Sequence, residues 1–299
     1  MTHTANILQN ICYYSIMTDF TKNSLPKRLR EISDPPKKLY IQGTLPPEDY
    51  KWLSVVGSRK YSPYGKEACE KLIMGLRGLP VVIVSGLALG IDSIAHRAAL
   101  SAGLKTVGVP GSGLDPKVLY PASSKNLAEE ILLSGGALLS EFEPDFRATS
   151  WSFPQRNRIM AGLSDAVLVI EAEIKSGTLI TSRLATDYNR DVFAVPGSIF
   201  SSTSDGPHML IKKGAALIDT PQALKIALGF SADENKELPK DYSLCSKDEL
   251  QILEILKSPM TRDELIETLN MPVSEIYSLL SVLEIKGLIK EEMGEIRLT

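Results

Sequence analysis

The chain has 299 residues, 43% of them hydrophobic and 23% charged, with a formal net charge of −3. That is ordinary for a soluble protein with one large domain and one or two small ones. No apolar stretch approaches the ~20 residues that a membrane-spanning helix needs. The first twenty residues hold no Lys or Arg and no small-residue cleavage site, which predicts a cytoplasmic protein without a secretory signal. Cys12, Cys69 and Cys245 are scattered and form no C-x-x-C pair, which fits reduced thiols better than a disulfide frame or a zinc site.

Charge is distributed unevenly. Residues 51–230 carry 19 Lys+Arg against 16 Asp+Glu, whereas residues 248–299 carry 5 against 11. The central part has room for a basic cleft, and the C-terminal part is poorly suited to phosphate.

Residues 1–50 read as a short helical or irregular arm with Lys27, Arg28 and Arg30 clustered on it. Pro35-Pro36 ends it before an extended Leu39–Gln42 segment, expected as an edge strand. From Trp52 apolar runs alternate with helical patterns. Strands are predicted at 52–57, 80–85, 105–109, 137–141, 166–171, 192–196 and 216–219. Helices are predicted at about 62–77, 91–102, 123–134, 155–163, 177–189, 207–213 and 221–229. The alternation predicts an α/β, Rossmann-like, doubly wound and mostly parallel sheet over residues 51–230. Residues 231–243 are polar and proline-containing, as a linker would be. Residues 244–299 have a winged-helix-like pattern, with a helix from near Lys247 and a second from Thr261, where Glu264 completes a capping box. A third helix spans Pro272–Gly287, and Leu288–Thr299 forms a wing turning at Met293-Gly294.

In open α/β sheets ligands sit outside the carboxyl ends of the strands. Those ends read Gly57-Ser58-Arg59, Ser85-Gly86-Leu87-Ala88, Pro110-Gly111-Ser112-Gly113, Ser140-Glu141, Glu171-Ala172 and Pro196-Gly197. A small residue, a hydroxyl and a guanidinium together suit a phosphate, although the same glycines would also serve tight strand-to-helix turns. Phe146-Arg147 and Phe153-Pro154-Gln155-Arg156-Asn157-Arg158 interleave aromatics with arginines, as a single-strand binder needs. Lys175-Ser176-Gly177-Thr178 resembles a loop wrapping an anion at a helix start. The Walker spacing is absent, and Gly111-Ser112-Gly113 lacks the third glycine of a dinucleotide fingerprint, so no cofactor is expected. Asp92 and His96 are one helical turn apart and read as a structural pair rather than metal ligands. Glu141 and Glu171 are expected to shape the rim or bind arginines, and no catalytic residue is assigned.

At this point the sequence resembles the DNA-processing protein A (DprA, or Smf) family. The matching segments include VVGSRKYSPYG (55–65), SGLALGIDSIAHRAAL (85–100), LSEFEPDF (139–146), FPQRNRIMAGLSDAVLVIEAEIKSGTLITSRLA (153–185), VFAVPG (192–197) and LIKKGA (210–215). The resemblance implies an extended Rossmann core that dimerises and binds single-stranded DNA. It also implies protection of incoming strands in natural transformation, help in loading the RecA recombinase, and no enzymatic activity. Carried onto matching positions, Gly57, Ser58 and Arg59 would grip a phosphate. Ser85, Gly86, Arg156, Asn157, Arg158, Lys175, Ser176, Gly177 and Thr178 would line the same cleft. The interleaving of aromatics with arginines, rather than the resemblance, adds Arg147 beside it and Phe146 as a base-stacking residue. The chain departs from the family in its short N-terminal arm and in Gly206-Pro207-His208, where relatives often show Gly-Thr-Asn. The alternative is a nucleotide-processing enzyme of the phosphoribohydrolase type. Lys175-Ser176-Gly177-Thr178 lacks that group's glycine pair and following glutamate. A duplex-reading role for the C-terminal module is disfavoured by Glu275 and Glu284 on its third helix, so protein contact is expected there.

Overall fold

The structure, a computed structural model, describes residues 18–21, 25–231, 245–256, 258–269, 271–292 and 294–298. Cys12, most of the polar 231–243 stretch and Met293 lie outside them. Two compact units are distinguished, residues 1–235 and 236–299.

The first unit is built on a nine-stranded sheet. In chain order its strands are β1 (Thr18–Thr21), β2 (Lys38–Gly43), β3 (Lys51–Val56), β4 (Val81–Ser85), β5 (Lys105–Gly108), β6 (Ala137–Ser140), β7 (Ala166–Val169), β8 (Asp191–Ala194) and β9 (Ala216–Leu217). Their spatial order is β1-β2-β6-β5-β4-β3-β7-β8-β9. Pairings from β6 through β9 are all parallel, and β2 joins antiparallel to both β1 and β6. The chain winds outward from β3 in one direction to β6, then returns beside β3 and winds the other way. The switch point, where such sheets open a crevice, therefore lies between β3 and β7.

Helices cover both faces: α1 (Lys27–Arg30), α2 (Pro63–Met74), α3 (Ile91–Ser101), α4 (Lys125–Leu133), α5 (Ser152–Leu163), α6 (Thr178–Asp187), α7 (Asp205–Lys212) and α8 (Pro221–Ala227). Period-two alternation decides which strand residue faces which helix. Leu53, Val55 and Ile83 pack with Cys69, Ile73, Ile94 and Leu224 on one face. Trp52, Val56, Val82 and Val84 pack with Leu29, Ile159, Leu163 and Ala185 on the other. Burial on both faces explains why β4 reads as an unbroken apolar run.

One N-terminal expectation needs correction. The Leu39–Gln42 segment is not an edge, because β2 pairs on both sides. Lys27–Arg30 forms one helical turn, α1, and is packed down through two of its side chains. Leu29 is fully buried, and Arg28 Nε and Nη2 each donate to Asp165 at 3.0 Å. Arg28 is spent on holding α1 to the sheet, whereas Lys27 and Arg30 are exposed.

The second unit is a winged helix with α9 (Lys247–Ile255), α10 (Arg262–Thr268), α11 (Val273–Ile285), β10 (Met260–Thr261), β11 (Ile289–Glu292) and β12 (Glu295–Leu298). The hairpin pairs Glu292 with Glu295, and β10 adds to its outer side. Capping boxes form at Ser246/Glu249 and at Thr261/Glu264, satisfying amides that the first turns leave unpaired. Ile252, Leu265, Ile276, Leu283 and Ile296 form its core. Among the described residues no helix is long and apolar enough to cross a membrane.

Candidate nucleic-acid interface

The carboxyl ends of β5, β4, β3, β7 and β8 form one rim, on which the α-helices following them begin. Gly57, at the end of β3, packs without a side chain against Ile91 of α3. Ile91 N donates to Ser58 O at 3.2 Å. Gly90 has a φ of +84°, and any side chain there would overlap Ser58 O and the Arg59 backbone. The backbone of Ser58-Arg59 is thus clamped on the start of α3, while the Arg59 side chain is exposed. Its guanidinium lies over the Phe153 ring, 5.2 Å from the centroid, an arrangement that orients the cation without consuming its hydrogen-bond donors.

Behind Arg59 sits a buried polar cluster. Arg156, on α5, is 4% exposed and donates to Val109 O. It lies so close across Gly86 that a Cβ there would overlap the guanidinium. Gly86 N donates to Asp92 Oδ2 at 3.1 Å. Burial lowers the Arg156 pKa to about 10, with Asp92 opposing the shift and Arg59 adding to it. Burial raises the Asp92 carboxyl. Arg156 therefore braces the Gly86 loop and adds positive potential behind Arg59. His96 Nδ1 lies 2.7 Å from Thr106 Oγ1, and burial lowers its pKa to about 3. Asp92 and His96 serve the structure, each with its own partner.

Across the switch point, Thr178 Oγ1 donates to Gly57 O at 3.1 Å and ties the start of α6 to the end of β3. Ser176 Oγ accepts from Thr178 N at 3.2 Å, and Ser176 O accepts from Leu179 N. Asn157 Nδ2 reaches Gly177 O at 3.5 Å. The loop is bonded from within, so Ser176, Thr178 and Asn157 fix its shape, and Lys175 is exposed on it together with Glu173 and Ile174. Gly177 has an ordinary helical φ of −59°.

The structure thus brings Gly57, Ser58, Arg59, Gly86, Arg156, Lys175, Ser176, Gly177 and Thr178 to one stretch of rim, but not all as contacts. Ser85 is fully buried and its hydroxyl donates to Val55 O at 2.6 Å. Arg158 turns away from Arg156, as residues two apart on a helix must. It pairs with Glu141 and donates to Asp34 O at 2.7 Å. Phe146 is half-buried and stacks on Phe142 at 4.6 Å, with Trp151 edge-on to both. Arg147 is exposed.

From sequence, Phe153 stands out only as one of the aromatics interleaved with arginines, and Trp151 and Tyr120 are given no part in the site. Phe153 is half-buried beside Tyr120, their ring centroids 5.7 Å apart. Trp151 and Tyr120 are 53% and 49% exposed, large rings held in water. Tyr120, carried on the β5–α4 connection, gave no local signal. Glu171 is buried and accepts hydrogen bonds from Ser62 N, Ser62 Oγ and Thr203 Oγ1 at 2.6–3.0 Å. That network makes it a brace for the rim loops.

Comparison with known proteins bears on this geometry. The family described as DNA recombination-mediator protein A matches residues 16–228, and the DprA winged helix domain matches residues 236–295. Protein Smf of Escherichia coli strain K12 is 39% identical over 280 residues, 90% of this chain and 73% of that protein. DNA processing protein DprA of Streptococcus pneumoniae strain R6 is 44% identical over 220 residues, covering 74% of this chain and 75% of that protein. The X-ray structure of the Streptococcus pneumoniae protein is similar with a TM-score of 0.66 at 41% identity, over 75% of this chain and 78% of that one. A Helicobacter pylori DNA processing protein A, solved for its single-stranded DNA binding mode, gives a TM-score of 0.63 at 36% identity, over 71% and 96%. With both units matched, the chain belongs to the DNA-processing protein A (DprA/Smf) family.

Proposed function

We propose that this chain binds single-stranded DNA along the rim, with Arg59 as the central phosphate anchor and the exposed Arg147 and Lys175 to either side. Phe153, with Arg59 over its ring, offers a stacking face, and Gly57, Ser58 and Gly86 hold the backbone close. Arg156, Asn157, Ser176, Gly177 and Thr178 shape the site from behind. The observation that carries this reading is the exposed Arg59 guanidinium held over Phe153 at the switch point of the sheet. The Helicobacter pylori relative, described as a single-stranded DNA binder, supports it. The protein then acts as a non-catalytic, cytoplasmic recombination mediator, a homodimer through its Rossmann-like unit. It protects incoming strands and helps load the RecA recombinase. The winged helix, whose third helix exposes Val273, Tyr277 and Ile285, is assigned to protein contact.

Arg59→Ala is expected to weaken oligo-dT binding by about tenfold or more, the worth of a charged hydrogen bond. It should also flatten the slope of log affinity against log salt by about 0.7, one single-strand phosphate contact. Fluorescence anisotropy at several salt concentrations measures both. An Arg59→Ala protein that binds as tightly as wild type would move the site elsewhere.

A further inference from the structure

Beyond the switch point the rim carries a second exposed apolar feature. Ile199 and Phe200, on the loop after β8, are 80% and 93% exposed. The loop itself is tied down. Tyr64 donates its hydroxyl proton to Pro196 O, and His208 Nε2 lies 3.1 Å from Gly197 O. Ala172 N donates to Thr203 O at 2.8 Å, and Thr203 Oγ1 donates to Glu171 at 3.0 Å. A fixed loop that holds a phenyl ring in water presents that ring to something. In strand order the β7 loop, with Lys175, separates it from the β3 loop, with Lys60 and Tyr61, the latter 45% exposed.

We propose that Phe200 stacks a base of the bound strand, with Tyr61 as the step between it and Arg59, so that the strand crosses the switch point. The inference rests on the single-strand reading of the rim and extends it. Two inter-strand spacings separate β3 from β8, about 10 Å. That is well within a single-strand site of about 4–16 nucleotides. Charges along this stretch are mixed, since Glu173 and Asp205 are exposed as well as Lys60 and Lys175. A phosphate gains little there, whereas the uncharged face of a base gains by stacking. The contribution of Phe200 is therefore indifferent to salt.

The test titrates wild type, Phe200→Ala and Arg59→Ala with dT oligonucleotides of about 4 and about 16 nucleotides, at two salt concentrations. Phe200→Ala should lose about tenfold on both oligonucleotides, the worth of one stacked base, with an unchanged salt slope. Arg59→Ala should lose on both and flatten the slope. Phe200→Trp adds a tryptophan whose emission the longer oligonucleotide should quench beyond the change seen in wild type. Phe200→Ala binding like wild type at both lengths, with no added quench in Phe200→Trp, would overturn the second stacking site and leave the Arg59 site standing. A Phe200→Ala protein that changes only its sedimentation would also overturn it, and would assign the loop to a second copy of the chain. Wild type that binds neither oligonucleotide would overturn the whole rim reading.

Discussion

Arg158→Ala is expected to lower the unfolding free energy by about 3–5 kcal/mol, the usual cost of breaking a buried ion pair from one side. The affinity of the folded protein for single strands should stay close to wild type. Arg158 is 8% exposed, pairs with Glu141 and Asp34, and donates to the Asp34 carbonyl. Its removal strands Glu141, whose carboxyl burial already pushes up and Arg158 pulls back down. Adding Glu141→Gln should recover part of the loss, because an amide costs less to bury than an uncompensated carboxylate. Urea unfolding and oligonucleotide titration of the same preparations separate the two effects. A small loss of stability with a tenfold loss of affinity would return Arg158 to the DNA-contacting set.

The second large effect is acid lability centred on His96. Its imidazole, carried on α3, is fully buried against Thr106 of β5, and its pKa is lowered from 6.5 to about 3. A lowered histidine pKa means that the unfolded chain takes up the proton first. Its contribution is fully present above pH 6.5 and is lost as pH falls through the window between 6.5 and about 3. The loss amounts to about 4 kcal/mol by a pH near 3.5. Buried carboxyls such as Asp92, with raised pKa, act in the opposite sense and gain from acid. The difference between wild type and His96→Gln in unfolding free energy from pH 7 to 3.5 isolates the imidazole. Parallel pH profiles for the two proteins would contradict this assignment.

Much of the sheet was legible because its signals are local. Ser62-Pro63 starts α2 as expected, with Ser62 accepting from Gly65 N. Thr261 and Glu264 form the capping box that their spacing suggested. The antiparallel end of the sheet was not legible, since Thr18–Thr21 pairs with residues some twenty positions away and shows no apolar run. Arg28 looked like a surface charge because its partner, Asp165, lies 137 residues distant.

For the site, sequence identified the rim but not which way each side chain turns. Arg156 and Arg158 stand two apart on α5, so one helix face cannot hold both. That signal was present in the spacing and was passed over. The choice between Phe146 and Phe153 was beyond local reading. Phe146 is taken up by Phe142 and Trp151, and Phe153 is marked out by Arg59 from another loop. Most residues of the motif segments build the rim, and few of them reach beyond it.

The central claim, a rim built for single strands and gripping their phosphates, is tested most directly by titrating wild type side by side with a single-stranded and a duplex DNA of equal length at two salt concentrations. The single strand should bind more tightly, with affinity falling as salt rises. Equal or tighter binding of the duplex, or single-strand affinity indifferent to salt, would contradict it.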